Sequence, residues 1–191
     1  MKLIVVLLTS SLLLLKLDTV HSQDDAMMKA WTAFMTPGEM HKMMATWNGT
    51  WTAEVSSYMD PSAPPTKSTA TVENKMALNG LYQMGHFTGT MMGSPFEGFG
   101  TLAYDNAKKM FVNTWVDNMG SGVVIMTGQW NPATKTLELK GTQSDPMTGK
   151  DSAIREELKI IDANTQKMTM YGVGIDGKEM KFMEATMKKK M

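Results

Sequence analysis

The chain has 191 residues, with 19 basic and 19 acidic side chains, 22 methionines and no cysteine. This length suits one domain with a substantial core. The absence of cysteine excludes disulfides, thiolate zinc sites and a lipid anchor on cysteine. The balanced charge provides no basic field for nucleic acid or an anionic membrane surface, so we expect neither partner.

The N-terminus has the features of a secretory signal peptide. Lys2 precedes an apolar run, Leu3 to Leu15, that is too short for a comfortable membrane span. Val20 and Ser22 are small residues at the spacing that signal peptidase reads, which predicts cleavage after Ser22. We assign residues 1–22 to the signal peptide and expect a secreted or periplasmic protein without a transmembrane domain after cleavage. An uncleaved anchor is the alternative.

Residues 23–47 are predicted to form an N-terminal helical segment. Pro37 is expected to begin its second helix, with Thr36 as N-cap and Glu39 completing a capping box. Apolar residues recur at helical spacing on both sides of the proline. They are Met27, Met28, Trp31 and Phe34 or Met35 before it, and Met40, Met43, Met44 and Trp47 after it. The segment ends at Asn48-Gly49.

Residues 48–191 change to the period of a strand, as Trp51, Ala53 and Val55 alternate with polar residues. Turn signals such as Asn79-Gly80 separate the apolar runs. The predicted strands lie at about 51–56, 67–77, 81–90, 96–104, 109–117, 121–130, 135–143, 151–161, 167–173 and 179–187. This even spacing predicts a mainly β fold, an antiparallel up-and-down barrel of about ten strands, with a sandwich as the alternative.

Two motifs carry a resemblance to known families. Gly49-Thr50-Trp51 is similar to the Gly-x-Trp signature that opens lipocalin barrels. A longer pattern resembles an uncharacterised family of exported bacterial proteins whose domain has no known function. Its parts are Met92-Gly-Ser-Pro-Phe-Glu-Gly-Phe-Gly100, Tyr104-Asp105-Asn106 and Trp115-Val-Asp117-Asn118-Met-Gly120. The resemblance implies a lipocalin-like barrel in the bacterial envelope and implies no activity.

No motif with a catalytic mechanism is present. The sequence lacks the Gly-x-Ser-x-Gly elbow, and a Ser-His-Asp triad in the mature chain would have to use His41 or His86. A haem iron on His86 would have a single histidine ligand. We therefore expect a protein that is not an enzyme and carries no cofactor.

The methionines have two interpretations. Met40, His41, Met43 and Met44 place three thioethers and an imidazole within about one helical turn, a ligand set that suits Cu(I). Methionine also fills irregular core gaps where other proteins use leucine. Core filling is the favoured interpretation, and Cu(I) binding is an alternative. Another alternative is a non-enzymatic stress or interaction protein of the envelope without a pocket, in which methionines are oxidised sacrificially.

A small closed barrel can hold one ligand in its lumen, and polar groups on an inward face would orient it. Glu156 shares a strand face with Ile154 and Leu158, and Glu184 is predicted to share one with Met180 and Phe182. The candidate ligand-binding residues are Glu156, Glu184, His86, Trp115, Tyr104 and Arg155. For Glu156 and Glu184 a position at the end of the barrel, where the carboxylate reaches water, is the alternative. For Arg155 a surface ion pair with Glu157 is the alternative. The sequence thus predicts a barrel that binds a small apolar ligand or lipid.

Overall fold

A computed structural model describes residues 17–59, 63–91, 93–174 and 176–191, without the side chains of residues 17–22. The described chain divides into two units, of which the first ends at Thr36 and the second begins at Pro37. In the first unit, helix α1 (Leu17–Met35) continues through the predicted cleavage point after Ser22. The apolar run of the predicted signal peptide lies outside the described residues. No described helix is long and apolar enough to cross a membrane.

Helix α2 (Glu39–Thr46) opens the second unit, and it begins later than the capping box predicted. Its N-cap is Gly38, whose N–H donates to His41 Nδ1 at 3.0 Å. Thr36 instead directly follows α1, and its hydroxyl donates back to the Thr32 carbonyl at 2.6 Å. The imidazole of His41 therefore has the role that the sequence assigned to the Glu39 carboxylate.

Ten antiparallel strands form a closed barrel in which each strand pairs with its neighbours in sequence and β1 pairs with β10. This confirms the predicted fold class, and all ten predicted strands exist. Their bounds are β1 Gly49–Ser57, β2 Thr66–Ala77, β3 Tyr82–Met91, β4 Ser94–Asp105, β5 Met110–Asp117, β6 Val124–Asn131, β7 Thr136–Ser144, β8 Asp151–Asp162, β9 Thr165–Val173 and β10 Glu179–Lys189. Closure leaves no free sheet edge between described strands.

The turns have the chemistry that the sequence predicts. Between β2 and β3, Leu78, Asn79 and Gly80 all have positive φ, a conformation that asparagine and glycine adopt more readily than most residues. Between β4 and β5, the Asp105 carboxylate accepts the N–H groups of residues 107 and 108. These local bonds set the register of the hairpins. Alternate residues of a strand then face the lumen, except where a bulge interrupts the alternation.

Helix α2 closes one end of the barrel. It contacts β2, β3 and β4, and its residue Met44 is fully buried with Trp47 beside the lumen-facing side chains of β5 to β8. The buried members of this cluster are Met44, Trp47, Phe111, Met126, Leu137, Leu139 and Ile154. A second buried cluster contains Trp51, Ala53, Val72 and Met187. The core therefore fills the α2 end and the wall formed by β1, β2 and β10.

A bulge in β10 changes which side chains of that strand point inward. The register with β9 shifts between Lys181 and Met183, so Met183 and Ala185 take the inward positions after it. Glu184 consequently points outward, where its carboxylate pairs with Lys167 at 3.1 Å. The prediction that Glu184 shares an inward face with Met180 and Phe182 is wrong, because a bulge reverses the alternation of the strand.

Candidate functional site

The lumen contains a cavity of about 350 Å³ that reaches from the middle of the barrel to the end opposite α2. This volume lies at the lower end of the range of about 300–1,000 Å³ for small-molecule sites. Met91, Met119 and Thr90 lie at its outer end, and Trp47 lies at its inner end. Most of its wall is apolar, so the cavity suits the hydrocarbon part of a ligand.

Trp115 forms an aromatic wall with two phenylalanines. Its ring lies 4.8 Å from the Phe87 ring in an edge-on contact and 6.3 Å from the nearly parallel Phe96 ring. On the neighbouring strand β4, Gly100 pairs with Trp115 and Gly98 pairs with Asp117. A Cβ on Gly98 would lie 2.6 Å from Trp115 Cη2. These two glycines therefore make room for an indole that lies against the backbone.

Asp117 holds this tryptophan in place. Trp115 Nε1 donates to Asp117 Oδ2 at 2.6 Å, and the Met119 N–H donates to Asp117 Oδ1 at 2.9 Å. Both carboxylate oxygens are thus hydrogen-bonded. Asp117 fixes the Trp115 ring at the outer part of the cavity, and this residue was not among the predicted site residues.

Glu156 places a carboxyl group in the middle of the lumen. It lies opposite Leu139 on β7 and Met170 on β9, and its inward neighbours on β8 are Ile154 and Leu158. Within the described part of the chain, no hydrogen bond or ion pair reaches this carboxyl. Burial raises the pKa of Glu156 to about 7, because the apolar wall disfavours the charged form.

Three barrel side chains bind the C-terminal end of α2. Gln83 Nε2 donates to the Met44 carbonyl at 2.6 Å, and Trp51 Nε1 donates to the Trp47 carbonyl at 3.0 Å. Lys189 Nζ donates to the Thr46 carbonyl at 3.3 Å. The last carbonyls of a helix have no partner within the helix, and a cation there also suits its dipole. These bonds close the α2 end of the lumen, so access is from the opposite end.

Of the six predicted ligand-binding residues, the structure brings Glu156 and Trp115 together in the cavity wall. His86 lies on the outer face, where Nε2 is 2.8 Å from Glu97 Oε1 and the ring stacks on Phe99 at 4.6 Å. Tyr104 lies under α2, with its ring 5.9 Å from the His41 ring. Glu184 lies outside, as described above.

Arg155 also lies on the outer face of the barrel. Its guanidinium pairs with Glu157 and with Glu179, the latter at 2.8 Å, and stacks over the Tyr171 ring at 3.8 Å. Both carboxylates stabilise the charged guanidinium, and Arg155 lowers the pKa of the Glu179 carboxyl. The surface ion pair is therefore the arrangement present, and Arg155 is not positioned to meet a ligand in the lumen.

The predicted copper ligands are part of the packing under α2. His41 and Met44 are buried, while Met40 and Met43 pack against the same core cluster. Besides accepting the Gly38 N–H, His41 is hydrogen-bonded to the Tyr104 backbone, and burial lowers the pKa of its imidazole. Both ring nitrogens thus have protein partners, which favours a structural role for this histidine.

Other methionines divide between core and surface. Met126 and Met187 are buried, and Met168 and Met170 pack against the buried clusters, as core filling predicts. Several others are exposed on the barrel unit. These are Met59, Met84, Met119, Met147 and Met191. A sacrificial role for the exposed set stays a prediction.

Comparison with known proteins places the barrel in a family. The sequence pattern of a family described as "Protein of unknown function (DUF1579)" matches residues 36–189. The chain belongs to this family. Membership in DUF1579 confirms the resemblance to a family of unknown function, and the match includes α2 together with all ten strands. Export stays a prediction.

One solved structure shares the architecture of this DUF1579 barrel. Rv2717c from M. tuberculosis is 12% identical with a TM-score of 0.63, covering 82% of this chain and all of that one. A redesigned β-barrel is 14% identical with a TM-score of 0.42, covering 78% of this chain and 95% of that one. No curated protein matches the sequence. The likeness to Rv2717c shows the fold alone.

Proposed function

We propose that this barrel binds one small, largely apolar molecule in its lumen. The observation that carries the proposal is the cavity of about 350 Å³, which is closed by α2 at one end and lined mainly by apolar side chains. An apolar ligand that replaces the water in contact with such a wall lowers the free energy of the system, so its binding is favourable. The Trp115 wall and the Glu156 carboxyl are the features that would orient the ligand.

The test is titration of the protein with N-phenyl-1-naphthylamine, an uncharged apolar fluorophore that becomes brighter in apolar surroundings. We expect saturable binding of one fluorophore per barrel. Ala70 lines the cavity, so Ala70→Phe should fill part of it and weaken binding at least about tenfold. Ala153→Phe is the matched control, because Ala153 is exposed and points outward from β8.

Two results would contradict the proposal. One is the absence of saturable fluorescence together with no displaceable ligand in native mass spectra of the purified protein. The other is unchanged affinity in a folded Ala70→Phe protein, which would place the fluorophore outside the lumen.

Export is proposed separately, on the apolar run that follows Lys2 and the small residues Val20 and Ser22. Expression of the full chain in an exporting bacterial host, followed by intact mass measurement, tests it. We expect a mature chain that starts at residue 23 in the periplasmic fraction or the medium. A full-length product in the cytoplasm would contradict this proposal and leave ligand binding unaffected.

A further inference from the structure

The ionisable side chains that line the described part of the lumen are all acidic. Among the described residues of the cavity wall, Glu156 and Asp117 are acidic, and none is lysine, arginine or histidine. A ligand carboxylate would therefore find no cation in the wall and would meet two acids. The electrostatic character of the cavity discriminates against fatty acids and other apolar anions.

The two acids differ in what they can still bind. Both oxygens of Asp117 already accept hydrogen bonds, from Trp115 Nε1 at 2.6 Å and from the Met119 N–H at 2.9 Å. Glu156 accepts none within the described residues and has apolar side chains at the adjacent lumen positions. A carboxylate without protein donors in a mainly apolar cavity is costly to keep charged, and a ligand that supplies a donor reduces that cost.

We propose that the ligand is an amphiphilic amine, whose hydrocarbon part fills the apolar lumen and whose ammonium group pairs with the Glu156 carboxylate. This inference rests on the proposed function and specifies its ligand class. An ammonium group supplies both donors and the opposite charge, and charge-assisted hydrogen bonds are about twice as strong as neutral ones. An alcohol supplies a donor without the charge, so it is the weaker match.

The pairing makes affinity depend on pH in a defined direction. The side chains across β7 and β9 from Glu156 are Leu139 and Met170, and the other acid of the described wall, Asp117, is held by its own hydrogen bonds. Protonation of Glu156 removes the negative charge that attracts the ammonium group. Affinity for an amine should therefore increase as the pH rises through about 7, the pKa of Glu156.

The test compares decylamine, decanol and decanoic acid, which share one chain, as competitors of N-phenyl-1-naphthylamine. At pH 8 we expect decylamine to displace the fluorophore at a concentration at least about tenfold lower than decanoic acid. The preference should shrink at pH 5. Glu156→Gln should weaken decylamine about tenfold and leave decanol unchanged. Glu138→Gln is the control, because Glu138 precedes the buried Leu139 in β7 and its own side chain is exposed on the outer face.

The failure of this inference is distinguishable from failure of the proposed function. If the fluorophore binds but decanoic acid competes as well as decylamine, the lumen binds ligands and the amine assignment is overturned. Retention of the full decylamine preference in Glu156→Gln also overturns it. If the variant does not fold, the three competitors and the pH series on the unmodified protein decide. If neither the fluorophore nor any competitor binds, the proposed function itself fails.

Discussion

Replacement of Glu156 with glutamine should stabilise the fold at neutral and alkaline pH. Burial raises the pKa of this carboxyl from an ordinary value of 4.5 to about 7. The folded protein therefore holds the Glu156 proton more tightly than the unfolded chain does. The resulting stability is fully present below pH 4.5 and is lost as the pH rises to about 7. Glutamine keeps the shape of the side chain without an ionisable proton.

The magnitude follows from these two pKa values. A difference of one pH unit between them corresponds to about 1.4 kcal/mol, so their separation gives roughly 3 kcal/mol between pH 4 and pH 8. Water that enters the lumen from its open end solvates the carboxylate, which makes this value an upper limit. Even half of it would be a large part of the stability of a domain, which is about 5–15 kcal/mol.

The assay is urea unfolding, followed by tryptophan fluorescence, for the original protein and Glu156→Gln at several pH values. The free energy of unfolding of the variant minus that of the original should be near zero at pH 4 and should increase towards pH 8. Other titrating groups are common to both proteins and cancel in this difference. A difference that stays constant from pH 4 to pH 8 would refute the reasoning.

Three further predictions concern side chains that hold the barrel together, each measured by chemical denaturation. Gly98→Ala should cost about 1–3 kcal/mol, because the added Cβ overlaps the Trp115 ring. Gly100→Ala, whose added Cβ has its nearest contact at 3.4 Å, should change stability by less than about 0.5 kcal/mol. Equal costs would contradict this account. Gln83→Leu should cost about 1 kcal/mol, because the Met44 carbonyl loses the side-chain donor and keeps only the Trp47 N–H, and an unchanged midpoint would show that the bond from Gln83 contributes nothing to stability. His41→Leu should cost about 2 kcal/mol at pH 8. Because burial lowers the pKa of His41, the loss of stability on acidification below about pH 6.5 should become shallower in this variant. An equally steep loss would assign that pH dependence to other groups.

The strands could be predicted from the sequence because alternation and turn residues are local signals. Trp51, Ala53 and Val55 point inward as their spacing indicates, and Asn79-Gly80 forms the expected turn. Local patterns could not determine which face of β3 points into the lumen. His86 and Phe87 are adjacent aromatic residues, so each face of the strand carries one of them. The lumen contains Phe87, and the outer face contains His86.

The errors arose where distant parts of the chain meet. The adjacent apolar residues Phe182 and Met183 are compatible with either phase of β10, and pairing with β9 places the bulge there. Such a pair is the signal that could have found it. The hydrogen bond from Gln83 to α2 joins residues far apart in sequence, so no spacing rule reveals it. Glu156 was predictable because β8 has one clear apolar face. Trp115 lies on β5, which has apolar residues on both faces, so its large aromatic ring was the only local signal.

The pairing of β1 with β10 has a consequence for biosynthesis. Trp51 in β1 pairs with Lys189 in β10, so the barrel can close only after the ribosome has synthesised the last strand. Until then β1 and β9 are edge strands, each with a row of backbone N–H and C=O groups that lack a hydrogen-bond partner. Such edges can pair with strands of other chains. Contacts between residues so distant in sequence also form slowly. Nascent or truncated chains that lack β10 should therefore be the form of this protein that most needs a chaperone.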